Sequence, residues 1–224
     1  MYYPYGEKEL DYLKKKDRVL GQAIDRIGYI EHEVDEDLFS SVIHHIVGQQ
    51  ISSAALKTVW GRMQHSLGRI CEETIAAQSI ETLQQFGMTF KKAGYIREFA
   101  QKVLTGEFDV ASVSQKSDEE IVTALSSLNG IGVWTAEMIM TFGLLRPDIL
   151  SYGDLAIHRG LRMLYHHKKI DKALFEKYRK RYSPYGTVAS FYLWAIAAGA
   201  IEGMRDYAPK KTSASPKQLK NPGK

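Results

Sequence analysis

The segment from Ser117 to Leu145 constrains the fold more than any other part of the chain. It opens on Ser117-Asp118-Glu119-Glu120, where the serine hydroxyl can accept the N–H three residues on and Glu120 can reach back. A helix therefore starts there, and apolar residues recur at helical spacing to about Leu128. Asn129-Gly130-Ile131-Gly132 follows, then a second helix from Val133 to about Leu145, which Arg146-Pro147-Asp148 breaks. Two helices joined by a glycine turn make a helical hairpin. Gly130 and Gly132 permit positive φ and close backbone approach. The first N–H groups of the second helix lack intrahelical acceptors, so a phosphate can sit on them.

Helical periodicity extends over most of the remaining chain. Leu38, Val42, Ile43, Ile46 and Val47 share one face. Further helices are expected over Ser53–Leu67, Lys92–Leu104, Asp154–Tyr165, Asp171–Tyr182 and Thr187–Glu202, with a short extended piece, Ile149–Gly153. No run alternates as a strand would, so the expected class is all-α. The expected organisation is an N-terminal helical segment (1–37) packing with a C-terminal subdomain (147–207), a subdomain with the hairpin (38–146), and a disordered basic tail (208–224).

Hydrophobic residues make up 44% of the chain, enough for a real core. Cys71 is the single cysteine, which excludes an internal disulfide and a four-cysteine zinc or iron–sulfur site. The polar start, Met1–Glu9, lacks a signal pattern, and the uncharged run Val188–Ile201 is too short to cross a bilayer. A soluble, intracellular protein is expected. Residues 205–224 carry +5 of the net +4, leaving about −1 on the remainder. Net charge therefore says little about a nucleic-acid partner. The nine basic residues between Arg159 and Arg181 fit a phosphate-binding stripe or a solvated helix face equally well.

Asp154 stands before Leu-Ala-Ile-His-Arg, where an aspartate is a good N-cap. Trp134 and Trp194, taken alone, fit core packing. His44 and His45 are adjacent and should point to different faces, and the pair His166 and His167 also lacks i, i+4 partners, so the histidines are poor metal candidates. His158 lies one turn after Asp154 and could pair with it. No second carboxylate is evident beside Asp154.

Four blocks in order change the weight of these readings: IVGQQISSAA (46–55), LNGIGVWTAEMIMTFGL (128–144), ILSYGDLAIHRGL (149–161) and SPYGTVASFYLW (183–194). Together they resemble the helix-hairpin-helix DNA glycosylase superfamily, and within it the alkylation-repair branch, 3-methyladenine DNA glycosylase II. The resemblance implies two helical subdomains with the active site in the cleft between them. The hairpin, through Gly130, Gly132 and Val133, would grip the DNA backbone. Carbonyls of Ser126, Leu128 and Ile131 would hold a monovalent cation, sodium or potassium, with no other cofactor required and no iron–sulfur cluster. Asp154 falls at the family's essential aspartate. Gln50 falls at the wedge that fills the gap left by a flipped base, although its place also suits a polar helix end. Lys91 and Lys92 suit backbone contacts, although any helix start could carry them.

Trp134 stands where bifunctional branches carry a Schiff-base lysine. The resemblance therefore implies a monofunctional enzyme without lyase activity. Trp134, Met138 and Trp194 would line the base pocket, Met138 replacing a frequent aromatic residue. Electron-rich rings there favour cationic bases. The expected function is hydrolysis of the N-glycosidic bond of alkylated bases in duplex DNA by a monomer that touches no membrane. The alternatives are a glycosylase for an oxidised or deaminated base, and a non-catalytic DNA-binding protein.

Overall fold

Side chains that accept a backbone N–H set most of the helix starts. The computed structural model describes residues 1–35 and 37–209, and the expected tail lies outside the described residues from 210 onward. Helices α1 (Glu7–Lys16) and α2 (Arg18–Ile27) meet at Asp17, whose Oδ1 accepts the N–H groups of Val19 and Leu20. A strap follows. Helix α3 (Leu38–Gly48) is capped by Asp37 and α4 (Ser53–Leu67) by Ser52. Then come α5 (Glu72–Ala76), α6 (Ile80–Gln85), α7 (Phe90–Leu104, capped by Thr89) and α8 (Val110–Val113). The hairpin is α9 (Asp118–Ser126), with the Ser117–Glu120 capping box, and α10 (Val133–Phe142). Helices α11 (Leu155–Tyr165), α12 (Lys172–Tyr182) and α13 (Gly186–Ala198) complete the fold. Among the described residues the β pairing is one isolated bridge, Tyr2 to Glu33.

Burial divides the apolar residues into two cores. One is built from residues between Leu38 and Ile149, around α3, α7, α9 and α10. The other joins Tyr3–Ile24 to Leu150–Ile201, around α2, α11 and α13. The divide falls between Ile149 and Leu150, in a buried extended segment whose backbone cannot reach water. Helix α13 supplies the missing partners. The Thr187 hydroxyl accepts from Ile149 N–H (3.0 Å) and donates to the Arg146 carbonyl (2.6 Å), and Ser190 donates to the Ile149 carbonyl (2.9 Å). The strap ties in as well, Asp35 N–H donating to the Phe142 carbonyl (3.1 Å).

The ends of two helices differ from expectation. Helix α10 stops at Phe142, not Leu145, because Leu144 and Arg146 N–H turn back to Ile139 and Met140 with Leu145 at φ 53°. Helix α13 stops at Ala198, where Gly199 turns left-handed at φ 95°. Its uncharged sequence suits a helix buried on nearly all sides. No described helix is long and apolar enough to cross a membrane.

Candidate active site at the hairpin

The turn between α9 and α10 depends on Gly130. Its φ is 88°, and a Cβ there would lie 2.3 Å from the Tyr95 ring. Gly132 needs no such freedom: its φ is −94° and open space surrounds a Cβ. The expectation of positive φ thus holds for the first glycine and fails for the second, which begins the helix in extended backbone. No side chain caps α10, and Val133 and Trp134 at its start are exposed. That leaves N–H groups and the positive end of the helix dipole facing outward.

The end of α3 is fastened to this turn. Gln49 Nε2 donates to the Gly130 carbonyl (2.8 Å), and Lys92 Nζ donates to the carbonyls of Val47 (2.8 Å) and Gln49 (2.5 Å). Lys92 therefore closes a helix end, and burial pushes its amine below the usual lysine range. The expectation that Lys92 reaches DNA is corrected accordingly. Lys91 lies over the Tyr95 ring. Gln50 is exposed at φ 56°, a conformation few non-glycine residues adopt. It borders a groove of about 370 Å³ with Ile51, Thr89, Lys91 and Tyr95.

Asp154 is only 6% exposed. Its Oδ1 accepts the N–H groups of Ala156 (2.8 Å) and Ile157 (2.9 Å), and its Oδ2 accepts Trp134 Nε1 (2.9 Å). One oxygen caps α11; the other meets the hairpin. Trp134 is 46% exposed, and the chain neighbours of the pair, Val133, Tyr152 and Leu155, are exposed as well. His158 does not join this group. Its Nε2 lies 2.8 Å from the Tyr152 carbonyl, and its ring stacks on Phe175.

A second carboxylate does lie near Asp154, contrary to the sequence reading. Ser151 Oγ donates to Glu137 Oε2, tying the loop that carries Asp154 to α10. Burial raises the Glu137 carboxyl above the ordinary value; Ser151 and Arg179 offset part of this, and Asp154 adds to it. A raised folded-state value means that ionising Glu137 costs stability as pH rises through it. Glu137→Gln should therefore melt higher than the parent at pH 8. The difference should close below the ordinary glutamate value of 4.5, as thermal scans across pH would measure.

Trp134, Met138 and Phe142 are spaced four apart on α10 and form one stripe leading inward. Met138 is buried. At the far end, Trp194 stacks on Phe142 (6.0 Å) and packs against Phe191 (5.8 Å) and His32 (6.1 Å). The ring neighbours of Trp194 are thus these three, while the Trp134 indole is engaged with Asp154. His32, on the strap, stacks on Phe191 at 4.1 Å; its Nε2 is buried without a partner, and burial holds its imidazole below the usual range. Nothing periodic in the sequence singles it out. In the basic stripe, Arg162 is committed to Asp206 (2.5 Å) and Arg181 to Asp17 (2.6 Å), which reduces its charge toward solvent.

Residues 43–184 match the HhH-GPD superfamily of base excision DNA repair proteins. The chain belongs to this superfamily. Other HhH-GPD proteins are similar over most of its length. DNA-3-methyladenine glycosylase 1 of Schizosaccharomyces pombe is 27% identical over 178 residues, covering 77% of this chain and 78% of that protein. The crystal structure of a DNA-3-methyladenine glycosidase from Bacillus halodurans is 32% identical with a TM-score of 0.78, covering 92% of this chain and 97% of that one. An S. pombe 3-methyladenine DNA glycosylase solved with abasic DNA superposes with a TM-score of 0.76 at 23% identity, over 87% and 99% of the two chains; at that identity it speaks for the fold alone.

Proposed function

We propose that this HhH-GPD protein is a monofunctional DNA glycosylase that hydrolyses the N-glycosidic bond of alkylated bases, such as 3-methyladenine, in duplex DNA. The observation that carries this reading is Asp154. It is buried, anchored through one oxygen to the start of α11 and linked through the other to the half-exposed Trp134 at the start of α10. The names of the similar proteins above, DNA-3-methyladenine glycosylase and glycosidase, support the substrate class.

The outward N–H groups at Gly132–Trp134 take a phosphate and position the duplex without reading sequence. Gln50 fills the gap that the flipped nucleotide leaves. Departure of the base builds positive charge on the sugar. A carboxylate about 4 Å away at an effective dielectric near 20 stabilises that charge by roughly 4 kcal/mol. Asp154 also orients or deprotonates the attacking water. Trp134 offers no amine, so no Schiff base forms and the backbone stays intact.

The hairpin suits a monovalent cation. The Ser126 hydroxyl is buried without a partner there, and the Leu128 carbonyl accepts only Ile131 N–H, leaving a lone pair. Carbonyls of Ser126, Leu128 and Ile131 would hold the ion, which supplies positive charge beside the phosphate.

The test is incubation with methylated duplex DNA and chromatography of the freed bases. We expect free 3-methyladenine, strand breaks only after alkali, and no borohydride-trapped adduct. A trapped adduct or a nick without alkali would overturn the monofunctional assignment. Binding without any base release would overturn the glycosylase reading itself.

A further inference from the structure

A group of chemistry-bearing side chains converges away from the hairpin. Adjacent residues of a helix point about 100° apart, so His44 and His45 share a target only if it is brought to the seam between them. The strap brings one. Asp35 Oδ1 lies 2.9 Å from His44 Nδ1, and Oδ2 lies 3.6 Å from His45 Nδ1. The sequence reading missed this because Asp35 precedes α3 and carries no periodic signal.

The group is braced from behind. Ser41 Oγ donates to Asp35 Oδ2 (2.7 Å), and Asp35 N–H is fixed to the Phe142 carbonyl. The His44 ring rests on Trp60 (4.7 Å) and the His45 ring against Phe142 (6.1 Å). In front, a cavity of about 410 Å³ opens onto Asp35 and His44, with Glu33, Asp37 and Gln64 also on its wall.

We infer that Asp35, His44 and His45 form a binding site for a divalent transition-metal ion of the zinc type, open to water from the cavity. The three donor atoms lie within 4.8 Å of one another. A tetrahedral ion about 2.0–2.1 Å from each donor holds them roughly 3.3 Å apart, between the two spacings already present. Two imidazoles and a carboxylate select zinc, cobalt, nickel or copper over magnesium and calcium. Braced ligands of this kind are the usual accompaniment of a metal centre. His45 Nδ1 also lies 2.9 Å from the Ser41 carbonyl. Binding therefore gives up that bond, and each imidazole carries its ring proton on Nε2. The ion ties the strap, which also carries His32, to α3.

The experiment uses the full chain without an affinity tag, stripped with chelator and titrated calorimetrically with ZnCl₂. One equivalent should bind, and MgCl₂ should not. At about a hundred times Kd the melting temperature should rise by about 5–10 °C. Asp35→Asn and His44→Gln should each weaken binding at least about 10-fold, and Ser41→Ala about 10-fold. Stoichiometric binding that survives both ligand substitutions would place the ion on other histidines and overturn the proposal. So would the lack of binding in the parent. Should a variant unfold, Co²⁺ in the parent decides: an intense tetrahedral-type visible spectrum supports the site, and a weak octahedral one overturns it.

Discussion

Asp154→Asn should lower base release from alkylated duplex DNA about 1000-fold while leaving the fold and DNA affinity nearly unchanged. Asparagine caps a helix about as well as aspartate, so the bonds from Ala156 and Ile157 N–H persist. The substitution removes the charge and, because an amide NH2 cannot accept, the bond from Trp134 Nε1. Loss of roughly 4 kcal/mol of transition-state stabilisation corresponds to about three decades in rate. Removing a carboxylate beside phosphate should not weaken binding, so abasic DNA should bind the variant at least as tightly as the parent. Asp154→Ala differs in a useful way. It loses the same chemistry and about 1 kcal/mol of capping, so it should also melt lower. Single-turnover base release, a gel shift and a thermal scan separate the two roles. Activity of Asp154→Asn within tenfold of the parent would remove the carboxylate from the mechanism.

How much of this was legible beforehand depends on how local each signal is. The Ser117–Glu120 box and the cap at Asp154 are settled by residues within one turn, and the structure starts both helices where expected, whereas α10 ends at Phe142, ahead of the break expected at Arg146–Asp148. Relations across the fold were harder. That Asp154 meets Trp134, twenty positions earlier, depends on the chain between them folding back. The Ser151–Glu137 bond needs that same return. Lys92 looked like a DNA contact because a lysine at a helix start is normally solvated, yet the end of α3 lies against it. His32 and Asp35 come from a strap with no periodicity, and only tertiary packing brings one to Trp194 and the other to His44.

Gly160 illustrates the same point with the largest expected effect on stability. Within AIHRGL it reads as a weak spot in a helix, since glycine costs about 1 kcal/mol against alanine there. Its reason is the crossing of α11 over α13, where a Cβ would lie 2.3 Å from the Leu193 carbonyl oxygen and 2.9 Å from its carbon. Backbone cannot rotate aside as a side chain can. Nor can α13 retreat, because Thr187 and Ser190 bind it to the segment around Arg146–Ile149 and the Tyr192 hydroxyl holds the Gly28 carbonyl (3.0 Å). Gly160→Ala should therefore destabilise by about 3 kcal/mol, the upper end for overpacking. In a chain of this size that lowers the melting temperature by about 6–12 °C. Gly61, exposed within α4 with nothing near a Cβ, supplies the opposite case. Gly61→Ala should stabilise by about 0.5–1 kcal/mol. The crossing also sets the distance between the acid and Trp194, because Asp154 caps α11 and α13 carries Trp194. Below its melting temperature, Gly160→Ala should consequently lose base release as well, whereas Gly61→Ala should keep it. Equal melting temperatures for the two variants would show that α11 and α13 are not in the close contact on which this account rests.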